Sequence, residues 1–201
     1  MTQDELNARL DDHKLWLSDN VQYEGKRFVM DGYTFDGLVF DDEPVPAMKL
    51  TNCTFNNCSF LRTIISKGKF DGSVFNNCAM DYARANYASL YGCTLNDCTI
   101  TYMEFMFANL EQCSFGTAEF NCVVGDDVYI KSLRADPYTI TYLADGRIYA
   151  NCQKKTMAEW EAMTNEDLIA VDGDSAVKAY YKWLGHAKVT IAAYPAKPFD
   201  R

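Results

Sequence analysis

The chain has 201 residues, 48% hydrophobic and 23% charged, which fits one domain, or one plus a small appendage, and excludes wholesale disorder. Nineteen Lys and Arg against 28 Asp and Glu leave a net charge of −9, which argues against a general nucleic-acid-binding surface. Two histidines make His-rich metal sites or a rich acid–base apparatus unsuited to this composition, and no apolar run approaches the ~18 residues of a membrane span.

The start, MTQDELNARLDD, is acidic and polar, neither a signal nor a transit peptide. Eight cysteines without an export signal point to a reducing compartment, the cytoplasm, and to free thiols. Residues 2–19 read as an amphipathic helix, with Leu6, Leu10, His13 and Leu17 on one face and Trp16 beside it. Residues 1–27 are expected to form this helix and a linker, with His13 a helix-face residue rather than a catalyst.

From residue 30 to 120 nearly every fifth residue is large and apolar: Phe35, Phe40, Val45, Leu50, Phe55 and onward to Phe120, with Ala85 the small one. Two positions before each sits a mostly small residue, such as Cys53, Cys58, Thr63, Gly68, Ser73 and Cys78. Asn, Asp and Gly crowd the positions after the large one, as in FNNC, FDGS and LNDC. A strict period of five fits neither a helix at 3.6 residues per turn nor a flat strand at 2. It fits a coil that turns a corner every five residues.

This pattern resembles the pentapeptide-repeat family, over about residues 28–122. The resemblance implies an all-β, right-handed, four-sided β-solenoid of twenty residues per coil, large and small residues pointing inward. Residues twenty apart should then stack: Phe35, Phe55, Phe75, Leu95 and Phe115 in one ladder, Phe40, Phe60, Met80, Ile100 and Phe120 in another. Leu50, Phe70, Leu90 and Leu110 form the third, and Val45, Ile65, Ala85 and Phe105 the fourth, where Phe105 fills space left by Ala85. Strand spacing of about 4.7–4.9 Å gives a rod about 22 Å long. Cys53, Cys58, Cys78, Cys93, Cys98 and Cys113 fall in the small inward slot and read as buried, metal-free thiols. An open solenoid end exposes unpaired backbone, so the N-terminal helix is expected to cap the first coil.

The rhythm fails at Gly125-Asp126-Asp127, and residues 123–201 read as a separate α+β appendage. YTITYLADGRIYANC alternates around Asp145-Gly146, a type I′ hairpin signal. Thr156-Met157-Ala158-Glu159 is a capping box, Thr164 to Asp167 a second helix start, and residues 175–193 a longer helix with Val177, Tyr180, Tyr181, Leu184 and Ala187 as its apolar stripe. The expected order is ββααα. Asp172-Gly173-Asp174-Ser175 lacks the EF-hand ligand order and reads as a polar inter-helix turn. The segments HKLWL…GKRF and IYANCQ…TMAEW are similar to those of phage- and prophage-borne pentapeptide-repeat proteins, which implies a phage origin.

No nucleophile–base pair, phosphate loop or dinucleotide fingerprint is present, so a non-catalytic protein without cofactor or metal is expected. Residues 28–122 hold eleven acids and five bases and carry most of the net charge. Several members of the family this chain resembles are rods of duplex-like width and charge that engage DNA gyrase. The resemblance therefore implies a DNA-mimic-like acidic face: Asp31, Asp36, Asp41, Asp42, Glu43, Asp71 and Asp81. Its partner would be a host protein with a basic nucleic-acid-binding surface, a topoisomerase or a phage-defence complex, with no direct contact to nucleic acid or membrane. In residues 41–46, DDEPVP, Glu43 falls in the inward slot and Pro44 and Pro46 remove ladder donors, so a bulge projecting the three acids is expected. Outward slots place Tyr82 and Tyr102 above Arg62, Tyr87 and Phe107 above Lys67, and Tyr91 and Met106 nearby. Such clustered aromatics mark an interface. The tail, a second copy in a homodimer or a foreign partner could cover it. A structural, self-associating module is the alternative function.

Overall fold

The computed structural model describes residues 1–18, 25–135, 138–150 and 153–199. The end of the expected first helix at Asp19, most of the linker, and Cys152 lie outside these. The chain divides into two compact units, residues 1–120 with 199–201, and residues 121–198. Among the described residues no helix is long and apolar enough to cross a membrane.

The first unit is a β-solenoid preceded by helix α1 (Gln3–Leu17). Strands β1 (Val29–Asp31) and β3 (Lys49–Thr51) pair in parallel, and β2 (Thr34–Asp36), β4 (Thr54–Asn56), β5 (Val74–Asn76) and β6 (Thr94–Asn96) form a parallel stack. Strands β7 (Thr99–Thr101) and β8 (Glu119–Asn121) form a third ladder. Every pairing joins residues twenty apart, as in Phe35↔Phe55↔Phe75↔Leu95, and parallel bridges such as Ser59↔Ala79↔Thr99 continue the rule between strands.

The period of five has a backbone cause. From Gly32 to Gln112 every fifth residue, two after each large one, has a positive φ, as at Asn52 (53°), Asn57 (52°) and Gly72 (69°). One left-handed residue per five turns the chain, and Gly, Asn and Asp tolerate it best. The large residues and those two before them are buried; Phe35, Phe55, Phe70 and Phe105 expose nothing. Phe35 and Phe55 stack at 4.7 Å between centroids and Phe40 and Phe60 at 4.6 Å, the spacing of adjacent parallel strands.

Helix α1 opens on a capping box between Thr2 and Glu5 and buries Leu6, Leu10 and His13. It closes the open end of the first coil with side chains. The Gln3 amide donates to the Val39 carbonyl (2.8 Å) and accepts from the Val39 amide (2.9 Å), doing what a preceding strand would do. His13 bridges the Phe28 amide (3.1 Å) and the Pro46 carbonyl (2.8 Å).

The expected bulge at residues 41–46 is absent. Phe40, Asp42 and Val45 donate in register to Ser59, Leu61 and Ile64, and Pro44 sits in the ladder opposite Ile64. Both prolines lie in the first coil, where the donors they lack have no earlier coil to reach. Glu43 stays in the inward slot, and Lys14 of α1 reaches it at 2.8 Å.

The second unit contains an antiparallel sheet of β9 (Ile130–Ala135), β10 (Tyr138–Leu143), β11 (Ile148–Ala150) and β12 (Gln153–Lys155), in the order β12-β11-β10-β9. The order is thus ββββααα; β9 and β12 are additions to the expectation. The β10–β11 hairpin forms, but its turn is not type I′. Its loop has three residues, Ala144 to Gly146, and only Gly146 has a positive φ (85°). That geometry is a right-handed turn closed by a glycine bulge. Helices α2 (Met157–Glu161) and α3 (Asn165–Asp172) open on capping boxes from Thr156 and Thr164, and Gly173 separates α3 from α4 (Asp174–Ala193). The buried stripe of α4 is Ala176, Tyr180, Trp183 and Ala187; Tyr181 is exposed instead. Trp183 and Tyr180 pack on Trp160 and the sheet residues Ile140 and Ile148.

Candidate functional site

Two sets of outward side chains follow from the coil geometry. The first is the carboxylates. Asp31 lies opposite Thr51 in the β1–β3 register, and the Asn52 amide donates to the Asp71 carbonyl, so Asp31, Thr51 and Asp71 share one column. Asp41, Leu61 and Asp81 share another through the same type of bond. Ten residues of a twenty-residue coil separate the columns, which places them on opposite sides of the solenoid. The seven expected acids are therefore not one face but rows on different sides, because closeness in sequence does not mean the same corner.

Each carboxylate in these rows is fixed by the next coil. Asp31 accepts from the Thr51 hydroxyl (2.7 Å) and the Asn52 side chain (2.8 Å), and these bonds hold its carboxyl below the ordinary range. Asp41 accepts from the Ser59 hydroxyl (2.5 Å) and the Leu61 amide (2.9 Å). Asp71 accepts from Ser89 (2.5 Å) and lies 3.2 Å from Lys69; Asp81 accepts from the Thr101 amide (3.0 Å). Asp36 takes a longer bond from Asn57 (3.3 Å). Two expected members differ. Asp42 is neutralised by two bonds from Arg62, which lower its pKa, and Glu43 points inward to Lys14. Neither adds free negative charge to the surface.

The second set is aromatic. Tyr82 and Tyr102 stack at 4.9 Å, and Tyr87 and Phe107 at 5.1 Å. All four are exposed, Phe107 by 69%. Met106 is exposed at the Phe107 corner, whereas Tyr91 lies in the Asp71 column, a corner away. Between the two aromatic columns runs the row Ile64↔Arg84↔Glu104, with Arg84 3.7 Å from Glu104.

The inward cysteines make an ordered series. Thr63, Ser73, Cys78, Cys93, Cys98 and Cys113 each donate to the carbonyl of the large residue twenty-three positions earlier, as Cys93 does to Phe70 (3.0 Å). Burial pushes the Cys53 and Cys93 thiols up. Among the described residues no group of three or more His, Cys, Asp or Glu is placed to hold a metal ion. His13, Gln3 and Lys14 act together as the cap; nothing in the five-residue pattern singled out Gln3 or Lys14, because their partners are backbone groups and an inward carboxylate far along the chain.

Residues 48–123 match the family described as pentapeptide repeat region. Among curated proteins none matches the chain. Full-length QnrB1, a plasmid-mediated fluoroquinolone resistance protein, is 16% identical over 47% of this chain and 65% of its own, with a TM-score of 0.25. A pentapeptide repeat protein from the Arabidopsis thaliana thylakoid lumen is 16% identical over 54% of this chain and 70% of its own, with a TM-score of 0.21. A third, Rfr23 from the cyanobacterium Cyanothece 51142, is 13% identical over 48% and 90%, with a TM-score of 0.15. The chain thus spans 65% of QnrB1's length.

Proposed function

We propose that this chain, whose residues 48–123 match the pentapeptide repeat region family, is a non-catalytic protein-binding module of the bacterial cytoplasm. In this reading a right-handed, four-sided acidic coil stands in for duplex DNA and occupies the basic surface of a nucleic-acid-handling protein, a topoisomerase or a phage-defence complex. One observation carries it. Asp31 and Asp71 on one side, and Asp41 and Asp81 on the other, recur every second coil and are immobilised by donors from the following coil. Two coils are about 9.6 Å, so each side presents charge at a regular pitch. Carboxylates already held in place lose little freedom when a cationic partner binds.

The test is binding to purified DNA gyrase and to a panel of basic DNA-handling proteins, measured against salt. Asp31→Asn, Asp41→Asn, Asp71→Asn and Asp81→Asn together remove charge and keep an acceptor oxygen for each bond. Binding should weaken as salt rises, since the Debye length falls from about 10 Å at 0.1 M to about 3 Å at 1 M, and should drop in the fourfold variant. Binding that ignores both salt and the variant sinks DNA mimicry. Self-association rests on a different surface, the aromatic columns.

A further inference from the structure

The aromatic columns occupy backbone positions that suit other residues. Tyr82, Tyr87, Tyr102 and Phe107 have φ of 59°, 61°, 54° and 57°, the left-handed region that favours Gly, Asn and Asp. The corresponding corners of the other columns hold Asn52, Gly72 and Gly92, or Asn57, Asn77 and Asp97. Bulky rings at strained corners, exposed and stacked in pairs, point to a use for the rings themselves.

Charge marks the same strip. The Arg62 amide donates to the carbonyl of Asp81 and the Lys67 amide to that of Asn86, which puts Arg62 one coil before Tyr82 and Lys67 one coil before Tyr87. With Arg84 between the columns, the strip holds three of the five bases of residues 28–122, against the outward acids Asp42 and Glu104. The remaining surface and interior of that segment hold two bases and nine acids. Within residues 28–122 the strip is therefore close to neutral, while the rest of the segment is strongly acidic, so two copies meet with least repulsion here.

We propose that this strip is the contact between two copies of the chain, packed face to face and antiparallel about a twofold axis at the level of Tyr82 and Tyr87. That axis lays each column against itself in reverse. Tyr82 then meets Tyr82 and Tyr87 meets Tyr87, while Arg62 meets the partner copy's Tyr102 position and Lys67 its Phe107 position. Arg62 and Lys67 each face an aromatic ring, while Arg84, on the axis, meets its own counterpart with Glu104 of its own chain 3.7 Å away to offset the charge; the contact is self-complementary as a closed dimer requires. A guanidinium held edge-on by Asp42 keeps its planar face available for a ring. Single-stranded nucleic acid fits less well: the rings already stack on each other, and Arg62 and Arg84 are already engaged by Asp42 and Glu104. The Asp31–Asp71 row lies on the opposite side of the coil from the Asp41–Asp81 row, which borders the Tyr82 column; the rings and cations, not the carboxylates, carry this dimer, so it does not depend on the acidic-surface reading.

Sedimentation of the full chain over a range of concentrations should show a monomer–dimer equilibrium. The double variant Tyr102→Ser, Phe107→Ser should raise the dimer dissociation constant by roughly 30-fold or more, with an unchanged far-UV spectrum. Lys67→Glu should weaken the dimer too, and Asp31→Asn, Asp71→Asn should not. Under mild oxidation Tyr82→Cys should cross-link to itself. Lys67→Cys should not, except when mixed with Phe107→Cys, which a parallel arrangement would not give. A wild-type chain monomeric up to about 100 μM, or a dimer indifferent to the double variant, overturns the proposal. So does a monomer that retains oligodeoxythymidine or a proline-rich peptide through these same rings.

Discussion

Thr117 is the one corner position between Gly32 and Cys122 where the left-handed residue is displaced: the positive φ moves to Gly116, at 34°. A β-branched side chain is poorly tolerated at positive φ, and Thr117 instead spends its hydroxyl on Asp97, at 2.5 Å. The same logic predicts the cost of changing other corners. Gln112 is exposed with a φ of 58°. Gln112→Val should destabilise by about 1–2 kcal/mol in urea unfolding, while Gln112→Gly should be neutral or slightly stabilising. The inward slot follows a different rule, small size with an X–H donor, which is why Cys, Ser and Thr interchange there. All six are buried, burial pushes the Cys53 and Cys93 thiols up, and a thiol reacts as its thiolate only where reagent can reach it. Cys53, Cys58, Cys78, Cys93, Cys98 and Cys113 should label with a thiol reagent only as fast as the solenoid unfolds; rapid native labelling would contradict their placement.

At the scale of elements, α1 acts as a cap made of side chains. His13 accepts from the Phe28 amide at Nδ1 and donates to Pro46 from Nε2, which requires the neutral ring. Burial, with Arg27 adding to it, holds its pKa below 6.5 despite the bond to Pro46. The unfolded chain therefore binds a proton near pH 6.5 that the folded one resists. Stability is full above that pH and falls as pH drops toward the folded value, by up to about 1.4 kcal/mol per pH unit. Unfolding measured at pH 7.5 and 5.5 should show this loss, and His13→Gln, which cannot titrate, should reduce it. The Lys14–Glu43 pair is a second lever. Removing one partner strands a largely covered charge, so Lys14→Met should destabilise more than the double change Lys14→Met, Glu43→Leu. A double variant less stable than the single one would show that Glu43 needs no partner.

At the scale of the whole molecule, net charge −9 and a pI near 4.7 set the response to salt. The carboxylates of residues 28–122 repel one another along the coils, and their hydrogen bonds orient them without neutralising them. Raising ionic strength should therefore increase the melting temperature. The variant Asp31→Asn, Asp41→Asn, Asp71→Asn, Asp81→Asn should respond less to salt. A melting temperature independent of salt in the native chain would mean that the pairs at Arg62, Lys69 and Arg84 already balance the field.

The five-residue period was legible in the sequence because it is local: each large residue, the small one before it and the left-handed one after it lie within a single pentad. The stacking of Phe35 on Phe55 and Phe40 on Phe60 follows from repeating that pentad four times per coil. The capping boxes at Thr156 and Thr164 were legible for the same reason, since each closes over three residues. Glu43 was not, because the carboxylate and its Lys14 partner belong to elements joined only by folding. Nor was the type of the β10–β11 turn, which depends on where strand pairing stops rather than on Asp145-Gly146 itself. The carboxylates show the same division. Composition determined how many there are, but the twenty-residue coil alone decided that Asp31 and Asp41, neighbours in sequence, stand on opposite sides, because direction around a coil depends on position modulo its length.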